Sequence, residues 1–429
     1  MTILRKIGIP VIQLLLGSIF LFSGFVKVID PVGSTIKMED YAVAFGVDMP
    51  HAFILLLAVG QGLFEFLLGF WLILGIWKKT AGWLVLLFMA IMTPFTLYLA
   101  IANPVSDCGC FGDAVKLTNW ETFIKNSVLL SFAILYLRCR DSALSFYGRR
   151  TGRWCSYWCL IFSLLLSIHS YRHQPLIDFM PFKTGNDLYE LTHLPETAVT
   201  DSIEYRFTYE KDGVRKIVTA GNLPASGSGW NYVDRTQVLI RKGDEPVISN
   251  LAILHPSLGD LTESILRDTS YVFLFVSPKL ETSERQHVTD AVNAYKYARQ
   301  YDYAFYGLTS SAPEAIEEWQ YEYDSDVEFC ASDDRLLTTM IRTNPGLVLL
   351  KNGVVYRKWS FRDIPEFKNL DKPLNESSIG RMRKQNILRV LGLTVVCFAF
   401  PLLFFYLLRT GQLARLKHFH LLNPLHHTK

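Results

Sequence analysis

The sequence predicts a membrane α-helical bundle, four core helices plus two further transmembrane helices, with an α/β soluble domain inserted before the last helix. Apolar runs at roughly 7–26, 52–76, 81–102, 122–137, 154–170 and 387–408 approach the ~20 residues that a spanning helix needs. Residues 171–385 between the last two runs turn polar and alternate strand-like with helix-like patterns. Half of the 429 residues are hydrophobic, too many for one soluble domain, while that middle stretch is too charged for a pure bundle. The expected divisions are 1–140 for the four-helix region, 141–171 for the fifth crossing, 172–254 for a tether and β-rich module, 255–370 for the α/β domain, and 371–429 for the last crossing and tail.

The first run follows Arg5 and Lys6, and no small-residue cleavage site precedes Lys27 and Pro31, so it reads as an uncleaved anchor. Glu121 and Lys125 shorten the apolar core of the fourth. If every run spans, Arg5, Lys6, Lys78, Lys79, Arg138, Arg140, Arg149, Arg150, Arg153, Arg409, Arg415 and Lys417 share one side, expected to be cytoplasmic. Arg381, Arg383, Lys384 and Arg389 fall against that rule. The soluble region and the loop after residue 102 then share the opposite compartment. In a bacterial inner membrane that compartment is the periplasm, where disulfides are made. The net charge of +3 is small and its basic residues flank apolar runs, so membrane lipid is the expected partner and nucleic acid is not.

That loop carries the most informative string, NPVSDCGCFGDAVKLTNWETFIKN, with Cys108 and Cys110 separated by one glycine and flanked by Asp107 and Asp113. The glycine lets the backbone bend enough for the sulfurs to meet, and so short a ring suits exchange better than stapling. Flanking carboxylates oppose a thiolate unless a cation such as Lys116 offsets them. Cys139, Cys155, Cys159 and Cys397 fall at or within the membrane on the other side. Cys155 and Cys159 share a helix face without His or carboxylate neighbours, so they read as buried thiols and no metal site is expected.

Glu65, inside an apolar run, is a functional candidate because an intramembrane acid is expensive. Its alternative is a structural carboxyl, protonated or bonded to Gln61 one turn back. Gly17, Ser18, Ser23 and Gly24, with Gly62, Gly69 and Gly75, would let the first two runs pack closely.

LLLGSIFLFSGFVKVIDP and FEFLLGFWLILGIWKKTAGW resemble the DoxX family of small four-helix membrane proteins, and TLYLAIANPVSDCGCFGDAVKLTNWETFIKN is similar to its MauE branch. The likeness spans roughly residues 5–140. It implies a redox-associated membrane protein: MauE is linked to maturation of a disulfide-rich periplasmic dehydrogenase subunit, and DoxX relatives to quinone-coupled oxidation of sulfur compounds. It implies Cys108 and Cys110 as the redox pair, Glu65 as an intramembrane acid, and a quinone as the candidate bound group. The methylamine substrate does not carry over, because MauE proteins lack the large insert seen here.

Within the insert, prolines at 175 and 181 mark an extended tether, and alternation at Tyr205–Tyr209 and Gln237–Ile240 marks a small β-rich module. Next come a strand at Tyr271–Val276, a helix at Thr282–Tyr301, a strand at Tyr303–Leu308 and a helix at Pro313–Tyr323. A short helix at Leu336–Arg342 precedes strands Gly346–Leu350 and Val354–Trp359, joined through Asn352-Gly353 as a hairpin. That order resembles the thioredoxin fold, which implies that Pro345 is cis and marks the client-binding position. The fold's Cys-x-x-Cys is missing, since Ser277-Pro278-Lys279-Leu280 stands there. Cys330 is either a buried inert thiol or a resolving thiol for Cys108 or Cys110. Trp319, Tyr321 and Tyr323 form either a binding face or a packed helix. His418, His420, His426 and His427 belong to a basic tail at the membrane surface.

Two functions follow. In one, Cys108 and Cys110 cycle between dithiol and disulfide, Asp107 or Asp113 manages protons, and electrons pass to or from a quinone near Glu65, in support of extracytoplasmic protein maturation. In the other, the protein is a non-enzymatic assembly factor whose thioredoxin-like domain holds a periplasmic client, with the cysteines as a structural clip.

Overall fold

The computed structural model describes residues 4–422 except 106, 196, 200–201, 212, 225–227, 242 and 383–385; of residues 408–422 only the backbone is described. His426 and His427 therefore lie outside the described residues, as do the side chains of His418 and His420.

The helical region comprises α1 (Ile9–Ile29), α2 (Pro31–Ala44), α3 (His51–Leu74), α4 (Lys78–Ala102), α5 (Asn119–Arg138) and α6 (Arg149–Arg172). Among the described residues four helices are long and apolar enough to cross a bilayer: Arg5–Ile29, His51–Leu74, Lys78–Ala102 and Ile387–Leu407. The other two expected crossings correspond to α5 and α6, helices of 20 and 24 residues that are less apolar than these four. Asn119, Glu121, Lys125 and Asn126 dilute α5, and Arg149, Arg150 and Arg153 with several serines dilute α6. The Ser156, Ser163 and Ser167 hydroxyls donate to the carbonyls of Gly152, Cys159 and Val28, so α6 buries polar groups against its neighbours at little cost.

Helices α1 and α3 approach closely because glycines line their contact. A Cβ at Gly24 would lie 2.2 Å from the Phe66 nitrogen, and one at Gly69 2.2 Å from the Leu21 nitrogen. No side chain fits at either place.

Helix α2 is absent from the sequence reading. Asp30 caps it, its side chain accepting from the Gly33 N–H at 2.8 Å, and Pro31 opens it at a position where a missing N–H costs nothing. Its first six residues are buried.

Beyond the short helix α7 (Leu188–Thr192), strands β1 (Ser202–Lys211), β2 (Val214–Thr219) and β3 (Asn231–Arg241) form an antiparallel sheet of order β2-β1-β3. A second sheet follows, built from β4 (Leu254–His255), β5 (Gly259–Asp260), β6 (Tyr271–Val276), β7 (Ala304–Thr309), β8 (Glu328–Ala331), β9 (Gly346–Lys351) and β10 (Val354–Ser360). Its order is β10-β9-β6-β7-β8-β4-β5, with β6, β7 and β8 parallel and β9 antiparallel to β6. The helices are α8 (Thr262–Leu266), α9 (Val288–Gln300), α10 (Pro313–Glu322) and α11 (Asp334–Met340), and the last apolar helix is α12 (Ile387–Leu422).

Strand β6 is apolar throughout because both of its faces are covered. Phe273 and Phe275 pack with Val288, Tyr297 and Trp319 from α9 and α10, while Val272, Leu274 and Val276 pack with Ile265, Leu337 and Met340 from α8 and α11. Trp319 thus belongs to the core, whereas Tyr321 is exposed. Asn352 and Gly353 both take positive φ, 49° and 73°, as the tight hairpin requires.

Two elements differ from expectation. Strand β8 occupies the segment read as a connection, and it buries Cys330. Helix α9 begins at Val288 rather than Thr282, because the Glu284 N–H is committed to the Asn344 carbonyl at 3.0 Å, outside any helical turn.

The soluble domain sits on the bundle through charged contacts. Arg342, buried, reaches Asp30 with Nε at 3.1 Å from Oδ1 and Nη2 at 3.0 Å from Oδ2. Arg335 pairs with Asp40, and His173 at the end of α6 with Asp363 at 2.9 Å. Behind Arg342, Lys358 meets Asp178 of the tether at 2.7 Å.

Candidate functional site

Three pairs of residues, each four apart on a helix and hence on one face, converge beneath the cysteine loop. They are Ser23 and Lys27 on α1, Lys37 and Tyr41 on α2, and Gln61 and Glu65 on α3. Lys27 Nζ lies 2.7 Å from Glu65 Oε2, 2.7 Å from the Cys110 carbonyl oxygen and 2.9 Å from Ser23 Oγ, which uses all three of its donors. Gln61 Nε2 donates to Glu65 Oε1 at 2.7 Å. Ser23 Oγ lies 2.6 Å from both Glu65 Oε2 and the Cys110 carbonyl, and its one proton serves either. The Lys27 and Glu65 side chains are only 7% and 3% exposed, so each charge depends on the other.

The loop is shaped from outside the cysteines as well. Asp107 accepts from the Gly109 N–H at 2.9 Å and is ion-paired with Lys37 at 2.9 Å. Tyr41 donates to the Cys108 carbonyl at 2.7 Å. Gly109 has φ of 61°, left-handed backbone that glycine adopts freely, and this turns the chain so that Cys108 Sγ and Cys110 Sγ stand 3.0 Å apart. Beyond them the loop closes onto α5: Asn119 Nδ2 donates to Asn103 Oδ1 and to the Val105 carbonyl, and a Thr118–Glu121 capping box starts the helix.

The electrostatics separate the two thiols. Cys110 is drawn down to about 6, first by the hydrogen bond from Cys108 and then, against burial, by Lys125 and Lys27. Cys108 moves the opposite way, chiefly through the same contact. The cations that matter are therefore Lys27 and Lys125 rather than Lys116, which stands 3.9 Å from Asp113. The flanking carboxylates are also less opposed to a thiolate than their sequence position suggests. Asp107 is neutralised by Lys37, and burial raises the Asp113 carboxyl above its usual range.

Below the sulfurs lies a cavity of about 180 Å³. Phe20, Phe88, Phe95, Met38, Met89 and Met92 form its apolar walls, and Ser23, Lys27, Gln61, Glu65 and Lys125 its polar side. Of the residues singled out from sequence, Cys108, Cys110, Gln61 and Glu65 line it. Asp107 supports the loop and Asp113 lies beyond the lining. Lys27, Ser23, Lys37, Tyr41 and Lys125 were missed. A lysine directly after the first apolar run, with a lone acid in the next, was the available signal for Lys27.

Pro345 is not with them. Its peptide bond to Asn344 is cis, but the proline is buried. Asn344 closes over the segment after β6: its side chain accepts from Ser277 Oγ at 2.7 Å and donates to the Lys279 carbonyl at 2.7 Å. Burial in β8 pushes the Cys330 thiol up to about 11, which suits an inert core residue rather than a resolving thiol.

Fold and site together define a multi-pass membrane protein with a paired-cysteine loop over a polar-floored cavity and a docked α/β domain. Residues 5–138 match the family model of Methylamine utilisation protein MauE, and residues 203–242 match a domain of unknown function, DUF8463. No curated protein and no solved structure matches the chain.

Proposed function

We propose that this protein is a membrane thiol–disulfide oxidoreductase that passes electrons from Cys108 and Cys110 to a quinone and so supports disulfide formation in proteins outside the cytoplasm. The observation that carries the reading is the placement of two unbonded sulfurs 3.0 Å apart above a cavity floored by a lysine–glutamate pair. The match to the MauE model favours a role in maturation of extracytoplasmic proteins, and the excess of lysine and arginine at the other helix ends favours placing the loop and the soluble domain in the periplasm.

The cavity suits a single ring. A site of roughly 150 Å³ lined by apolar side chains accepts benzene, and this one adds donors at Gln61, Lys27 and Lys125 that match carbonyl oxygens. A quinone, as a diffusible substrate, supplies the acceptor for two electrons and two protons. On the protein's side, Cys110 is held as the thiolate, the bond to Cys108 forms, and Ser23, Glu65 and Lys27 provide the hydrogen-bonded floor through which protons move. Exchange with a client dithiol then forms the client's disulfide and returns Cys108 and Cys110 to thiols, which closes the electron balance.

The soluble domain is read as thioredoxin-like from its β10-β9-β6-β7 order. It carries no thiol at Ser277–Leu280, and this favours a second reading in which it holds clients without chemistry. The buried Pro345 and the Asn344 closure count against a client strand binding there.

Trapping of thiols in native membranes, with mass spectrometry on the peptide bearing Cys108 and Cys110, tests the proposal. The pair is expected to follow the quinone pool, and replacement of both cysteines by serine is expected to abolish client oxidation while the protein still inserts. A pair that never changes state favours the receptor.

A further inference from the structure

One wall of the cavity is a helix gripped from the other side by the soluble domain. Ser34, Lys37, Met38 and Tyr41 of α2 line the cavity, and Lys37 and Tyr41 hold the loop through Asp107 and the Cys108 carbonyl. The same helix is held externally at both ends. Its cap Asp30 takes Arg342, and Asp40 takes Arg335, both arginines coming from the segment around α11. Asp30 Oδ1 accepts both the Gly33 N–H that starts α2 and Arg342 Nε, so losing the arginine also loosens the helix start.

Helix α2 buries its first six residues, and its second half is held by side-chain contacts that opening would have to break: Glu39 with His51 at 2.6 Å and the Tyr41 ring against Phe95. At 14 residues it is too short to be stable without packing. At the link to α3, Val43 and Val47 are exposed and Gly46, at φ 64°, has nothing within 4 Å of where a Cβ would stand, while the Phe45 ring rests on Phe95 and Tyr98 of α4. Such a link swings more easily than the glycine-locked contact of α1 with α3.

We propose that α2 is a lid over the Cys108–Cys110 cavity and that the docked soluble domain is the clasp that keeps it shut, so that release of Arg342 and Arg335 admits the thiol-bearing partner. The inference adds regulation to the redox reading and rests on it only for the identity of that partner. The absence of a thiol at Ser277–Leu280, with Cys330 buried in the core, is then in keeping with the domain's work: it governs access and leaves the chemistry to the loop.

The test is the rate at which a small water-soluble maleimide labels Cys108 and Cys110 in the full chain, reduced beforehand and kept in native membranes. Arg342→Gln is expected to raise the rate about tenfold or more, since it leaves Asp30 buried and unpaired. Arg335→Glu, at a half-exposed pair and so safe for folding, is expected to raise it a few-fold, and adding Asp40→Arg to that variant is expected to restore the original rate. An unchanged rate in Arg335→Glu and in folded Arg342→Gln overturns the lid, as does a raised rate in Arg335→Glu that Asp40→Arg fails to reverse. If Arg342→Gln does not fold, the charge exchange decides alone. Labelling reports access and not electron transfer. A pair that labels as expected but ignores the quinone pool overturns the redox reading and leaves the lid, and the converse pattern overturns only the lid.

Discussion

Lys27 and Glu65 meet at 2.7 Å inside the helical bundle, and both also bind the loop that carries the cysteines or the serine that touches it. A buried pair of this kind is costly to break by halves and cheap to remove whole.

Glu65→Gln is accordingly expected to destabilise the bundle by about 3–5 kcal/mol, because Lys27 keeps its charge without its partner. The double variant Lys27→Met, Glu65→Leu is expected to recover most of that loss and to lose client oxidation all the same. Thermal unfolding in detergent alongside a dithiol-oxidation assay separates the two effects. Equal instability of the single and double variants would refute the pairing argument.

The Cys110 thiol should react as its lowered value dictates. Above about pH 6 it is mostly thiolate, whereas an ordinary cysteine reaches that state only near pH 8.5. Alkylation of Cys110 in a Cys330→Ala background is expected to rise with pH to a plateau by about pH 7, and to fall as pH drops through 6. Lys125→Met, which removes a cation that draws the value down, is expected to move the midpoint upward. A midpoint near 8.5 in the unaltered chain contradicts the geometry.

Gly69→Val should prevent α1 and α3 from packing at all, since even a methyl group there would lie 2.2 Å from the Leu21 nitrogen. A loss of well over the 1–3 kcal/mol typical of overpacking is expected, read as failure to obtain a monodisperse protein in detergent. Gly60→Ala, on the same helix but facing open space, is expected to be neutral or slightly stabilising.

Phe273→Ala, in the centre of the soluble sheet, is expected to cost about 3–5 kcal/mol and to lower the unfolding midpoint of the soluble domain. Tyr321→Ala, exposed in the last turn of α10, should leave it unchanged. Fluorescence-monitored denaturation checks both.

Much of the architecture was legible in local pattern. The continuous run Tyr271–Val276 reads as a strand covered on both faces, and it is one; Asn352-Gly353 reads as a tight turn, and both residues take positive φ. The Cys-Gly-Cys spacing places two thiols within reach of each other whatever surrounds them. Helix α2 was not read, although Asp30-Pro31 is a helix-start signal, because a short helix between two longer apolar runs has little hydrophobic signal with which to announce itself. Over α5 and α6, mean apolarity does not reveal where the polar side chains point, and the structure turns several of them into the bundle.

What the sequence determined by itself is therefore most of the elements, α2 and β8 excepted, because turn geometry, helix caps and apolar periodicity act between residues a few positions apart. It also pointed to the two cysteines, the intramembrane acid and its glutamine, which the structure brings to one cavity. Only the tertiary structure decided their state. Lys27 neutralises Glu65, Lys37 neutralises Asp107, Lys125 favours the Cys110 thiolate, and Arg342 fastens the soluble domain to Asp30 across 312 positions of sequence. Charge interactions in a buried setting depend on separations of a few ångströms, and those separations are set by how helices distant in the chain come to pack.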